Sequence, residues 1–226
     1  MAARRIGVIV PSSNTVVEQD FAASQIPGVS VHTARMYLAE TTAEKEREMI
    51  SIHAPRAARD LGTAACDVAV FACTSAGALI GLDGEARLVA ELAEVAGCPV
   101  ISTNEAVARK LKEIGAERVA VVTAYIDELN IGIRRTLEER GVHVTEIHGM
   151  GITDNVAIAD VGPAQIVEFA RRHIDDRDID ALFVSCTNLP AMESLDALTA
   201  EFGVPVITSN SATIDAVRES TFRRVK

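Results

Sequence analysis

The sequence predicts an α/β protein made of two similar Rossmann-like units, each a parallel sheet of about four strands flanked by helices, related by a pseudo-two-fold axis. Short β-rich runs alternate with amphipathic helical stretches along the 226 residues. That alternation is the mark of parallel sheets covered on both faces. The strand runs are also continuously apolar, as burial on both faces requires. Finally, the chain repeats itself. DVAVFACT at 67–74 matches DALFVSCT at 180–187, and RIGVIV at 5–10 matches RVAVVT at 118–123, both offset by 113 residues. GCPVISTN at 97–104 matches GVPVITSN at 203–210, offset by 106.

The elements follow in order. Strands are expected at 5–10, 29–33, 67–72, 99–102, 118–123, 142–146, 180–185 and 205–208, where Val, Ile and Phe cluster. Helices are expected at 42–61, 85–96, 104–114, 128–140, 163–173 and 211–218, where apolar residues recur at helical spacing. Each G-x-P-V-I-[ST]-[ST]-N run reads as a last strand followed by an asparagine cap that opens a helix. The helix after Asn104 leads into the second unit. The helix after Asn210 ends the chain, and the first unit is its symmetric resting place. The expected domains are therefore 1–101 plus 209–226, and 102–208, with an active site in the cleft between them.

Composition narrows the function. Lys plus Arg number 22 and Asp plus Glu 32, a net charge of −10. Such a chain suits neither nucleic acid nor an anionic membrane. The apolar runs are too short to span a bilayer, and the start, MAARRIGVIVPSSN, lacks the long apolar run of an export signal. A cytoplasmic location is expected. The four cysteines form no C-x-x-C pair and the five histidines are scattered, so no metal site is expected. The loop P-S-S-N-T at 11–15 has no glycine, which argues against a dinucleotide fingerprint or P-loop. Gly149-Met-Gly151 is a lone G-x-G, and there is no G-x-S-x-G elbow.

The cysteines divide by position. Cys73 and Cys186 end matching strands of the two units and both precede threonine. In parallel α/β sheets, ligands bind at the carboxyl ends of strands. Across a pseudo-two-fold cleft, two such thiols would meet a small substrate from opposite faces, one attacking or taking a proton and the other donating one. Neither Cys66 nor Cys98 sits at the carboxyl end of a strand, and their repeat partners are Ile179 and Val204. They are expected in the core. Thr74-Ser75-Ala76-Gly77 and Thr187-Asn188-Leu189-Pro190 read as polar turns entering helices, able to cradle an anion and to lower a nearby thiol pKa.

These residues resemble a family. R-I-G-V-I-V-P-S-S-N-T at 5–15, the Cys73 strand, V-V-T-A-Y at 121–125, I-T-D-N at 152–155 and V-S-C-T-N at 184–188 are similar to the aspartate/glutamate racemase superfamily. Within it they resemble the maleate cis–trans isomerase and arylmalonate decarboxylase branch, over nearly the whole chain. The resemblance implies catalytic roles for Cys73 and Cys186. It implies substrate binding by Asn14, Tyr125 and Asn155, with Ser12, Thr74, Ser75, Thr187 and Asn188 around them. It implies isomerisation of maleate, or a related small enedioate, to fumarate without a metal or organic cofactor, by a homodimer or larger homo-oligomer. Thr74-Ser75 departs toward the decarboxylases, in which that pair helps form a dioxyanion pocket but glycine replaces the first cysteine. The amino-acid racemases keep both cysteines. The alternatives are thus an amino-acid or hydantoin racemase, then an arylmalonate-type decarboxylase, and last a non-enzymatic sensor of small acids.

Overall fold

The computed structural model describes residues 3–176 and 178–222, except for the side chains of 221 and 222. Two four-stranded sheets are present. The first is β1 (Arg4–Pro11), β2 (Val29–Met36), β3 (Val68–Phe71) and β4 (Val100–Ser102), in the spatial order β2-β1-β3-β4. The second is β5 (Arg118–Thr123), β6 (His143–Gly149), β7 (Ala181–Ser185) and β8 (Val206–Thr208), in the order β6-β5-β7-β8. Every pairing is parallel. The two sheets thus share one topology, as the repeat predicts, and β1 and β3 correspond to β5 and β7.

Helices cover both faces of each sheet, which is why the strands read as unbroken apolar runs. On one face of the first sheet, Ile6, Val8, Val10, Val68 and Val70 pack against Val17 and Phe21 of α1 (Val17–Ala23). Ile214 and Val217 of the terminal helix α11 (Ser209–Phe222) join the same cluster. The other face, with Ile9, Ala69 and Phe71, packs on Leu61 of α3 (Ala54–Thr63) and on Leu88 and Leu92 of α5 (Gly81–Ala96). Val107 and Leu111 of α6 (Thr103–Glu113) belong instead to the core of the second sheet. With them are Leu129 and Ile133 of α7 (Asp127–Glu138), Ile166 of α9 (Pro163–His173) and Leu198 of α10 (Leu195–Phe202). Cys66 and Cys98 are free and buried in the first unit's core.

Several boundaries differ from expectation. The single helix expected at 42–61 is three pieces: α2 (Ala43–Glu48), a π-helical turn Met49–His53, and α3. Pro55 has no N–H, and its ring would collide with the Ser51 carbonyl of an ordinary helix, so the wider turn absorbs it. The Asn104 cap is also a correction. Ser102 caps α6, its Oγ accepting from the N–H groups of Asn104 and Glu105 at 3.1 and 3.3 Å. The asparagine is freed for a different task, described below. The helices α1 and α8 (Asn155–Ala159) were not anticipated, being too short to show a period, whereas helices were expected at the two cysteine turns: α4 (Thr74–Leu79) takes in the first turn and α10 follows the second.

One buried ionic network ties four helices together. Glu85 on α5 takes an ion pair from Arg140, just past α7, at 2.7 Å. Its Oε1 also accepts from Ser102 Oγ at 2.6 Å and Asn104 Nδ2 at 2.9 Å. Gly77 on α4 has no side chain because a Cβ there would overlap the Glu85 carboxylate.

Candidate active site

The carboxyl ends of β1, β3, β5 and β7 converge, and the residues following them line one cavity. Its walls are Pro11, Asn14, Cys73, Ser75, Tyr125, Asn155, Cys186, Thr187 and Asn188, together with Leu38 and Thr41 from the segment between β2 and α2 and Glu46 within α2. Both repeat-related cysteines therefore face the same space. Ser12 and Thr74 are not in the lining. Ser12 Oγ accepts from the Leu38 N–H at 3.0 Å, and Thr74 Oγ1 pairs with Ser209 Oγ at 2.8 Å.

The repeat also explains how the cysteine turns are held. Asn104 Nδ2 donates to the Thr74 carbonyl at 3.1 Å, and its partner Asn210 donates to the Thr187 carbonyl at 3.0 Å. Each asparagine also bonds a buried carboxyl, Glu85 for Asn104 and Asp20 for Asn210. Burial is the largest influence on Asp20 and raises its carboxyl to about 6. Ser209 joins the two turns, bonding Thr74 and accepting from the Cys186 N–H at 3.1 Å.

Amides stitch the loops across the cleft. Asn14 Oδ1 accepts from the Val16 and Val17 N–H groups, and its Nδ2 donates to Thr187 Oγ1 at 3.1 Å. Asn188 Oδ1 accepts from the Thr15 N–H at 2.9 Å, and Asn155 Nδ2 donates to Ser13 Oγ at 2.8 Å. Each of Asn14 and Asn155 keeps a second N–H on its side-chain nitrogen for a ligand. The roof is closed by Thr41 N–H to the Thr153 carbonyl, 2.8 Å, beside a bridge between Glu40 and Asp154. What remains is a cavity of about 10 Å³, room for about one water.

The thiols sit in different settings. Cys73 precedes α4 and its Sγ lies 3.8 Å from Ser75 Oγ. Burial pushes its pKa well above the ordinary thiol value, Glu46 and Cys186 push the same way, and the Ala76 N–H and Ser75 pull back. Burial also pushes Cys186 up, to about 11, against hydrogen bonds from the Tyr125 side chain and the N–H groups of Asn188 and Leu189. The expectation that helix N-termini lower both pKa values is thus corrected. α4 is a single short turn or two, no α-helix starts at Thr187, where a turn leads to a 3₁₀ turn at Met192–Ser194, and desolvation outweighs the donors. Tyr125, fully buried beside both thiols, is likewise raised.

Glu46 and Thr41 were missed from sequence. Glu46 reads as one of many charges on a solvated helix, yet it is 0% exposed and its carboxyl is raised to about 8 by burial. No sequence signal marks it, because Ala43 is the one apolar residue in the run AEKERE.

Gly149 shows what the lone G-x-G means. A Cβ there would overlap the Tyr125 carbonyl oxygen and the Asn130 amide. Gly149→Ala is expected to cost about 1–3 kcal/mol and, by displacing Tyr125, most of the activity. Urea denaturation with an assay of the folded fraction checks this, and a fully stable, fully active variant would count against it.

A sequence profile described as arylmalonate decarboxylase matches residues 6–223. The chain belongs to the arylmalonate decarboxylase family. Members include a maleate isomerase of Nocardia farcinica, 30% identical over 94% of this chain and 88% of its own length. The arylmalonate decarboxylase of Bordetella bronchiseptica is also 30% identical, over 94% of this chain and 89% of its own. Among solved structures, the N. farcinica maleate cis–trans isomerase superposes with a TM-score of 0.90 at 29% identity, covering 96% of this chain and 92% of that one. That structure is of a cysteine-to-serine variant with a covalently bound succinylcysteine intermediate. The fold of that relative agrees with the two-sheet architecture seen here. Among the described residues, no helix is long and apolar enough to cross a membrane.

Proposed function

We propose that this chain is a two-cysteine isomerase that converts maleate, or a related small enedioate, to fumarate, with no metal or organic cofactor taking part. The observation that carries the reading is that Cys73 and Cys186, partners in the repeat, line one cavity with Tyr125, Asn14 and Asn155. The succinylcysteine held by the Nocardia relative is the adduct such a site would form.

The chemistry follows from the geometry. Cys73, whose pKa is raised, gives up its thiol proton to a carboxylate of the entering substrate as its sulfur adds to one alkene carbon, and the electron pair moves onto the neighbouring carboxylate as an enediolate; the proton returns to sulfur when the adduct breaks down. The spare N–H donors of Asn14 and Asn155 are placed to meet carboxylate charge. Cys186, a neutral thiol at pH 7, donates a proton to the adjacent carbon and then takes it back. The central bond is single in the adduct and rotates, and loss of the Cys73 sulfur releases the trans isomer. Closure of the cavity excludes water that would otherwise compete. The same reading includes a cytosolic location, where thiols stay reduced, and a homodimer or larger homo-oligomer.

Two opposed thiols favour reversible chemistry over decarboxylation, which needs one proton delivered to one face. Purified protein given maleate alone is expected to yield fumarate by proton NMR, with the rate unchanged by EDTA. Maleate left intact while an amino acid or hydantoin racemises would replace this reading with the racemase. Carbon dioxide from an arylmalonate would replace both.

A further inference from the structure

Thr41, just before α2, and Glu46, within it, bring two polar atoms into the cavity wall that nothing in the protein satisfies. Thr41 is 3% exposed and Glu46 0% exposed, and both line the cavity. Thr41 Oγ1 and Glu46 Oε2 are buried without a hydrogen-bond partner. The other Glu46 oxygen, Oε1, accepts from the Ser75 hydroxyl, whose oxygen also lies beside Cys73. Buried polar atoms in folded proteins are normally paired, and each orphan carries a cost of about 1–3 kcal/mol. Two orphans on one wall of a cavity that otherwise holds the catalytic pair point to a ligand group that completes them.

The charges in the cavity decide which group. The lining contains no Lys, Arg or His. Facing Glu46 are Cys73 and Ser75 at the start of α4, Tyr125 beyond β5 and Cys186 beyond β7. On its own helix Arg47 is exposed and offsets little. A dicarboxylate entering this space would meet a repelling charge if Glu46 were ionised. A protonated Glu46 removes that repulsion and places a donor at Oε2. Desolvation does hold the proton there, lifting the group to about 8, the strategy of a carboxylic acid kept neutral to donate a hydrogen bond.

We propose that Thr41 and Glu46 form a subsite for one carboxylate of the substrate, Glu46 acting there as a neutral acid that donates from Oε2 and Thr41 as a second donor. The proposal rests on the dicarboxylate reading above and assigns its specificity to the α2 wall. Glu46 is a positioning residue with a protonation requirement, so its loss acts on KM more than on kcat.

The test is the pH dependence of maleate kcat/KM from pH 6.5 to 9.5 for wild type, Glu46→Gln, Glu46→Leu and Thr41→Val. Gln keeps the shape and a donor but does not titrate. The ratio of wild-type to Glu46→Gln kcat/KM is expected to fall about tenfold per pH unit above about 8, where the wild-type acid is lost. Glu46→Leu, with no donor, is expected to raise KM tenfold or more at pH 6.5, and Thr41→Val severalfold, with kcat changed less. A ratio flat across pH 8 overturns the proposal. A ratio that rises with pH also overturns it, because the ionised carboxylate of Glu46 would then be the form that promotes the reaction. If wild type leaves maleate untouched, the isomerase reading falls by itself. The subsite is then judged by protection of Cys73 from iodoacetamide by succinate. That protection must weaken above pH 8 in wild type and not in Glu46→Gln, and equal protection at both ends overturns it.

Discussion

Replacing Cys73 by serine is expected to cut maleate turnover by about 10⁴-fold or more, and replacing Cys186 by about 10²- to 10⁴-fold. Both side chains line the cavity, and neither is part of the surrounding hydrogen-bond frame in a way that serine would break. The Cys186 turn is held by its backbone, through Ser209 Oγ, and by Asn210 at the Thr187 carbonyl. The loss would therefore be chemical. A hydroxyl has a far higher pKa than a thiol, so serine can neither attack as readily at position 73 nor deliver and recover a proton as readily at 186. Cys66→Ser and Cys98→Ser, in the first unit's core, are expected to keep turnover per folded molecule while losing about 1–3 kcal/mol for a buried hydroxyl without a partner. The measurement is fumarate formation by proton NMR, with circular dichroism to confirm folding. A well-folded Cys66→Ser variant without activity, or an active Cys186→Ser variant, would defeat the assignment.

The largest stability effect is expected at Arg140. Its guanidinium is 13% exposed and pairs at 2.7 Å with the Glu85 carboxylate, 3% exposed. Arg140→Met leaves that carboxylate buried with only Ser102 and Asn104 as donors, and a buried charge without its partner costs about 3–5 kcal/mol. The effect should reach the site, because Asn104 both bonds Glu85 and holds the carbonyl that follows Cys73. Adding Glu85→Gln to Arg140→Met removes the uncompensated charge and should recover much of the loss, since replacing both partners of a buried pair is often close to neutral. Urea midpoints of the single and double variants decide it. A single variant within about 1 kcal/mol of wild type would show the pair to be solvated, and a double variant no better than the single would place the cost in packing.

The repeat made much of this legible without coordinates. Three matched segments in one order, two of them at the same offset, admit few arrangements other than two copies of one sheet, and the strands carry their burial in their composition. The same offset singled out Cys73 and Cys186 from four cysteines. Asn14, Tyr125, Asn155, Ser75, Thr187 and Asn188 also reached the cavity, their types and motif positions being local properties. Ser12 and Thr74 did not, because a residue's place in a motif does not say which way its hydroxyl turns. Thr74 bonds Ser209, 135 residues away.

Local pattern and repetition therefore encode the fold class, the two parallel sheets, the matching of the halves and the pair of thiols at strand ends. The rest depends on distant segments meeting in space. That includes Ser102 rather than Asn104 as the cap, and Asn104 and Asn210 as the clamps on the cysteine turns. It includes thiols raised rather than lowered in pKa, because desolvation is set by everything packed around a group. It includes Thr41 and Glu46 in the cavity wall. Glu46 lies within AEKERE, a run that is charged and helical and gives no sign of burial. Its burial comes from the packing of α2 against segments distant in the chain, Cys73, Tyr125 and Cys186 among them.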